Sequence, residues 1–406
     1  MTDTFADRVT PRFSKKREAI VAAATEVMNR RGVRGMTLAD VAERVGLITT
    51  SVTYYFRKKD TLAAACFGAG IERLSALVHA ARAEATPEPR IRRLLGLYLD
   101  LRARIVAGEA PPLPIFSDLR ALAPEAHGPV AGAYAGLFRR IRGLFAGPGG
   151  ETLSRGAATA RATILLEQID WAGAWLPRYG IADYPAIGER MSDVLIGGFA
   201  RVGAEWRPTR VDIGGEAAPA AGREAFLKAA TQLINARGYR GASVELISAS
   251  LGLTKGSFYH HHAAKDDLVA ACFARSFGVV RRAQAAAGAL RGDAWLQLTS
   301  AAAALTALQF SPAGPLLRAS ALAALPEQLR EAMLRQSDQL SAGFEAMIAA
   351  GVAEGSLRPV DPFIAAQMLN ATLNAAADLP FLLRNPAADV AVELYARPIF
   401  TGLTAP

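Results

Sequence analysis

Two stretches of the chain gather side chains suited to gripping a polyanion. In the first, Thr49, Thr50, Thr53 and Tyr54 share the outward side of a short helical run from Thr49 to Phe56, with Val52 and Phe56 inward and Lys58-Lys59 just beyond. Short hydroxyls can bond to base edges and phosphate oxygens, and ammonium groups bind phosphate. A surface helix chosen only for solubility would favour Glu and Lys. In the second, a helical run from Thr254 to His262 presents Lys255, Gly256, Tyr259 and His260, and Lys265 follows. The bare Gly256 allows close backbone approach. Catalytic spacing is missing: there is no zinc-protease, P-loop, dinucleotide or nucleophile-elbow pattern. Gly252-Leu-Thr-Lys-Gly-Ser257 lacks the Gly-Lys-Ser/Thr ending of a phosphate loop. Consecutive His260, His261 and His262 would point about 100° apart on a helix and cannot converge on one ion. His79 and His127 stand alone. The reading is of a binding protein, not an enzyme, with no metal or cofactor.

These two stretches belong to an internal repeat. Arg17 to Phe67 aligns without a gap on Arg223 to Phe273 at a constant offset of 206, with 21 of 51 positions identical. The matches include Gly32 and Gly35 with Gly238 and Gly241, Gly46-Leu47 with Gly252-Leu253, and Ala64-Ala65-Cys66-Phe67 with Ala270-Ala271-Cys272-Phe273. Chance likeness between Ala-rich helices would not align glycines. An offset of 206 far exceeds the roughly 20 to 50 residues of solenoid repeats, so a whole domain is duplicated. Charge follows the repeat. Residues 1–68 hold twelve Lys/Arg against seven Asp/Glu and residues 223–273 six against four, which is +7 of the net +9. The two cysteines, Cys66 and Cys272, occupy equivalent places and read as small buried apolar residues, not a disulfide scaffold.

The positioning elements follow from periodicity. Ile20, Ala23, Ala24, Val27 and Met28 recur at helical spacing, and Gly32 with Gly35 ends that helix. Thr37 is placed to cap a second helix with Leu38, Val41, Ala42 and Val45 inward, Gly46 breaks it, and the Thr49 helix completes a helix-turn-helix. Ser243, Val244, Ile247 and Gly252 repeat the pattern. Hydrophobic residues make up 51% of the chain and aromatics only 7%, which favours packed helices over a β-sandwich. No run approaches the roughly 18 apolar residues of a membrane span, and Asp3 and Asp7 stand where a signal peptide would be basic. A cytoplasmic protein without a membrane partner is expected. Arg207 to Gly222, with two prolines and three glycines, reads as the linker; its 16 residues could stretch to about 55 Å.

At these residues the chain resembles the TetR (tetracycline-repressor-like) family. Gly252-Leu-Thr-Lys-Gly-Ser-Phe-Tyr-His-His-His-Ala-Ala-Lys-Asp-Asp-Leu268 follows the family's head pattern closely, and Gly46 to Leu62 follows it more loosely. Gly355-Ser-Leu-Arg-Pro-Val-Asp-Pro362 is similar to the family's penultimate turn. The resemblance implies an all-α fold of two tandem units, each an N-terminal three-helix head that binds DNA and a helical body that binds a small molecule and dimerises. It also implies DNA contacts at Thr37, Ser51, Tyr54 and Lys59, and at Ser243, Ser257, Tyr259, His260 and Lys265. The expected divisions are 1–68 (head), 69–206 (body), 207–222 (linker), 223–274 (head) and 275–406 (body).

In the first body Tyr98, Phe116, Trp171, Trp175 and Tyr179 invite two readings: core or dimer packing, or a pocket for a small apolar or aromatic effector with Glu167, Gln168 or Asp170 at its polar end. Phe310, Met333, Phe344, Met347 and Met368 pose the same choice in the second. If helices around 156–203 and 361–404 pack as a four-helix bundle, one chain is an intramolecular pseudo-dimer. Pairing between chains would instead give four heads. The function expected is a transcriptional regulator, in family habit a repressor, reading a double-stranded DNA operator with unlike half-sites. The alternative is a small-molecule binding or scaffold protein of the same fold without gene-regulatory activity.

Overall fold

The computed structural model describes residues 11–147, 153–213, 221–252, 265–311, 313–318, 321–322, 325, 327–378 and 387–405. Regular structure among them is helical, apart from one isolated antiparallel bridge between Ala200 and Leu357. The first half begins with α1 (Pro11–Gly35), α2 (Leu38–Arg44) and α3 (Thr49–Tyr55). A long α4 (Lys59–Ala81) leads into α5 (Pro87–Val106), α6 (Pro124–Arg142), α7 (Arg155–Trp175) and α8 (Tyr184–Gly197). The second half repeats the opening with α9 (Ala221–Gly241) and α10 (Val244–Ser250), so the last two residues of the expected linker are helical. Then come α11 (Lys265–Gly288), α12 (Ala294–Gln309), α13 (Glu327–Glu354) and α14 (Pro362–Ala375). The chain closes with α15 (Ala388–Ala391), a π-helical turn Val392–Ala396 and α16 (Arg397–Thr401).

The residues read as inward in α1, Ile20, Ala23, Ala24, Val27 and Met28, are buried, as are Val41 and Ala42 of α2 and Val52 and Phe56 around α3. The helix does not stop where the glycines stand. It kinks at Gly32, whose φ of 69° suits glycine, and one more turn follows; Gly238, its repeat partner, does the same in α9 at φ 72°. Both thiols are buried, and burial pushes Cys66 and Cys272 up to about 11, which makes them inert. By length and composition α4 could cross a membrane; here it packs among α1, α5 and α6.

The halves meet along α7 and α8, which pack on α14, on the π-helical turn and on α16. Several polar groups inside this boundary find partners across it. Gln168, 1% exposed, donates Nε2 to the Met368 carbonyl (3.1 Å) and to Thr372 Oγ1 (3.0 Å). Arg161, 4% exposed, donates to the carbonyls of Leu403 (2.8 Å) and Ala405 (2.6 Å). Trp171 Nε1 donates to Gln367 Oε1 at 3.1 Å, while Trp175 and Tyr179 meet Phe363 of the other half. A buried polar group without its partner costs about 1–3 kcal/mol, so separating the halves is expensive beyond the apolar area exposed. The chain between them is also tied down: Trp295 Nε1 donates to the Glu205 carbonyl, and the Thr209 N–H to Ser300 Oγ.

Candidate DNA-reading heads and effector cavity

The first head is assembled by local capping and two ion pairs. Thr37 Oγ1 accepts from the Asp40 N–H (3.1 Å) and the Asp40 carboxylate accepts from the Thr37 N–H (3.2 Å), a capping box at the start of α2. The hydrogen bond from the Thr37 hydroxyl, reinforced by Arg31, holds the Asp40 carboxyl below its ordinary range. Arg31–Asp40 (2.6 Å) and Arg44–Glu26 (2.5 Å) pin α2 to α1. Lys59 Nζ donates to the Arg34 carbonyl (2.9 Å), joining the start of α4 to the end of α1.

This frame buries Val52, leaves Ser51 and Tyr55 half-buried and turns the remainder of α3 outward. Thr49, Thr50, Thr53 and Tyr54 are exposed, Tyr54 at 73%. The Thr53 hydroxyl donates to the Thr49 carbonyl (2.8 Å), and its lone pairs remain available. Lys58 is exposed and caps α4 by its backbone. Ile48, 70% exposed beside them, was not singled out from sequence, nor was Phe13, which stacks on Tyr55 (4.7 Å) and meets Tyr54 edge-on (6.2 Å). In the second head Ser243 caps α10 through the Leu246 N–H (3.2 Å), and Lys265 lies over the Tyr239 ring at 4.3 Å. The expected contacts Thr254, Lys255, Gly256, Ser257, Tyr259 and His260 lie outside the described residues.

Behind the heads lies a cavity of about 1070 Å³, lined from both halves. Tyr98, Phe116 and Trp171 border it, with Glu167 and Asp170. The other candidates sit elsewhere. Trp175 is buried against Tyr179 and Phe363, Phe344 is in the core, and Phe310 is half-buried at the end of α12. Met333 and Met368 are buried and Met347 packs against the core, while Gln168 faces α14. None of these second-body side chains lines the cavity.

Arginines and asparagines missed from sequence define the cavity's polar walls. Asn29 and Asn235 are repeat partners, 206 apart, and each clamps a connecting strand with both ends of its amide. Asn29 Nδ2 donates to the Leu113 carbonyl (2.8 Å) and its Oδ1 accepts from the Ile115 N–H (3.1 Å). Asn235 Nδ2 donates to the Leu316 carbonyl (2.9 Å) and its Oδ1 accepts from the Arg318 N–H (3.0 Å). Arg73 and Arg275 hold the same connectors through the carbonyls of Pro111 and Pro112, and of Ala313 and Pro315. The short 3-10 turn Phe116–Ala121 packs on both α1 and α9: Asp118 accepts from the Val33 N–H (2.8 Å), and Arg120 donates to the Asn235 carbonyl. The matched asparagine in the repeat was the available signal, since an identical polar residue amid a helix's apolar spacing needs a partner.

The electrostatics are dominated by paired and desolvated groups. Arg318 and Glu167, from opposite halves and nearly buried, pair at 3.5 Å. Asp170 offers its exposed area to the cavity; surrounding protein, and then Glu167, push its carboxyl up to about 8 against the pull of Arg318. Burial raises the Tyr98 phenol to about 12, and its hydroxyl donates to the Ile169 carbonyl (2.6 Å). No cluster of three or more His, Cys, Asp or Glu able to hold a metal occurs among the described residues.

Two segments, residues 20–66 and 226–272, match the family model described as bacterial regulatory proteins, tetR family. No curated protein matches the chain. Among solved structures, AibR in complex with isovaleryl coenzyme A and operator DNA is 17% identical, with a TM-score of 0.37, over 44% of this chain and 96% of that one. A TetR/AcrR-family regulator from Thermobifida fusca is 21% identical, TM-score 0.31, over 45% and 98%. FadR from Bacillus subtilis in complex with stearoyl-CoA is 18% identical, TM-score 0.31, over 42% and 95%.

Proposed function

We propose that the chain, whose two head segments match the tetR family of bacterial regulatory proteins, is a transcriptional regulator whose two heads read one DNA operator. The observation that carries this is the outward face of α3, where three threonines and Tyr54 stand exposed beside Lys58. Helix-turn-helix dimers place two recognition helices in successive major grooves about 34 Å apart. This chain supplies both heads itself, and the mutual satisfaction of Gln168 and Arg161 across the halves supports an intramolecular pseudo-dimer. Tethering keeps the two halves at an effective concentration of roughly millimolar. The faces differ at aligned positions, Thr49-Thr50 against Lys255-Gly256 and Thr53-Tyr54 against Tyr259-His260, so the operator has unlike half-sites.

The cavity is the effector site in this reading. Leu113 and Ile115, which Asn29 holds, line it, and so does Arg318, whose N–H Asn235 accepts. A ligand that prefers one setting of these connectors over the other shifts the heads by its differential affinity alone. Release of DNA on binding makes the protein a repressor, acting in the cytoplasm where its operator lies. Selection from a random double-stranded library tests the reading: salt-sensitive enrichment of one two-part site supports it, and no enrichment at all leaves a ligand-binding module of the same fold.

A further inference from the structure

We infer that the cavity holds one amphipathic anion per chain, an acidic group on an apolar or aromatic body, gripped jointly by the two halves. The inference deepens the effector reading above and shares its premise that the cavity is a ligand site. Charge is the first observation. Among the described residues lining the cavity seven are arginines and only two, Glu167 and Asp170, are acids. With both acids ionised the walls still carry five positive charges in excess, and the raised carboxyl of Asp170 makes the imbalance larger at neutral pH. A ligand cation would enter against that field, and a neutral ligand would leave it uncompensated.

A second observation is independent of counting. The Nε of Arg102 is buried without a hydrogen-bond partner, although its guanidinium reaches the cavity wall beside Gly173. A buried donor left unmade costs about 1–3 kcal/mol, and a planar guanidinium is well shaped to meet a carboxylate or phosphate. The space has room for far more than a bare inorganic anion. At about 1070 Å³ the space is at the upper end of ordinary ligand pockets, and its walls include Leu74, Phe116, Phe138, Trp171, Leu322 and Leu334, which an apolar body would cover.

Stoichiometry follows from where the walls come from. Arg102, Arg120 and Asp170 belong to the first half, and Asn235, Arg318 and Arg330 to the second. Arg318 reaches Glu167 across the boundary, and Arg120 reaches the Asn235 carbonyl. Two independent bodies would take two ligands; this shared chamber takes one, in contact with the connectors of both heads.

The test uses three probes of one chain length, dodecanoate, dodecyltrimethylammonium and dodecanol, titrated into the full chain by calorimetry and by tryptophan emission. Dodecanoate is expected to saturate at one equivalent and to bind at least tenfold more tightly than the cation, with affinity falling as salt rises. Arg102→Met with Arg330→Met is expected to weaken dodecanoate about tenfold and leave dodecanol unchanged. Arg330 is half-buried, so Arg330→Met alone serves if the double variant does not fold. Equal or tighter binding of the cation, two equivalents per chain, or arginine variants with unchanged dodecanoate affinity would each overturn the inference. Operator binding is read on the same samples. DNA binding without anion preference defeats this inference alone, whereas anion binding without any DNA binding defeats the regulator reading and leaves the site standing.

Discussion

Tyr54 stands free of the first head's core, so its removal separates reading from folding. Tyr54→Ala is expected to change stability by no more than about 0.5 kcal/mol, while weakening operator binding about tenfold; fluorescence anisotropy beside a urea melt reads both. Lys58→Ala is expected to lower affinity evenly across sequences and to reduce the salt slope by about 1. Thr37 is different, because its hydroxyl is committed to the capping box. Thr37→Ala is expected to cost about 1 kcal/mol of stability as well as any DNA contact. Asp170 gives a pH signature. Desolvation by the protein around the cavity, and then Glu167, raises its carboxyl to about 8 from 3.8, so the folded chain holds a proton that the unfolded chain releases in that window. Its contribution to stability therefore declines as pH rises from about 4 to 8. Asp170 is faced by Glu167 on its own helix, Tyr134 on α6, Tyr98 with Arg102 on α5, and Arg318 from the second half. Dodecanoate affinity is expected to fall as pH passes about 8, and Asp170→Asn to flatten that fall. The hydroxyls of α3 were legible because they occupy polar positions of one short helix, and Lys58-Lys59 because they follow it directly. The arginines were not, since Arg102, Arg120 and Arg318 come together only through three separate elements.

At the scale of elements the junctions decide. The Gly198 backbone has φ 66°, and a Cβ there would lie 2.2 Å from the Phe400 carbonyl oxygen, where the two halves exchange backbone bonds. Gly198→Ala is expected to cost about 3 kcal/mol or more, measured as a shift in the urea midpoint. The aligned glycines of the heads were readable as helix breakers, yet Gly32 and Gly238 kink their helices and do not end them. A single residue of positive φ redirects the chain, and the next turn still closes. The connectors were opaque for another reason. Residues 110–122 carry no amphipathic period, so nothing in them announces that Asn29, Arg73 and α9 converge there. Trp171 and Trp175, one helical turn apart, were open to both the pocket and the packing reading: the first borders the cavity while its Nε1 donates to Gln367 of the other half, and the second meets Phe363.

For the whole molecule the duplication is the organising fact, and it was the most legible one, because whole-domain repeats leave aligned glycines and cysteines in the sequence. The manner in which the copies complete each other was less so, since Gln168, Arg161 and Glu167 are ordinary helix residues until α14, the C-terminus and Arg318 are placed against them. On the function proposed above, one chain reads one operator with both heads. The direct test is the mass of the complex formed on the best DNA site selected by the full chain. One chain bound across two unlike half-sites is the predicted result. Two chains on a strictly palindromic site, with one head of each left off the DNA, would contradict it.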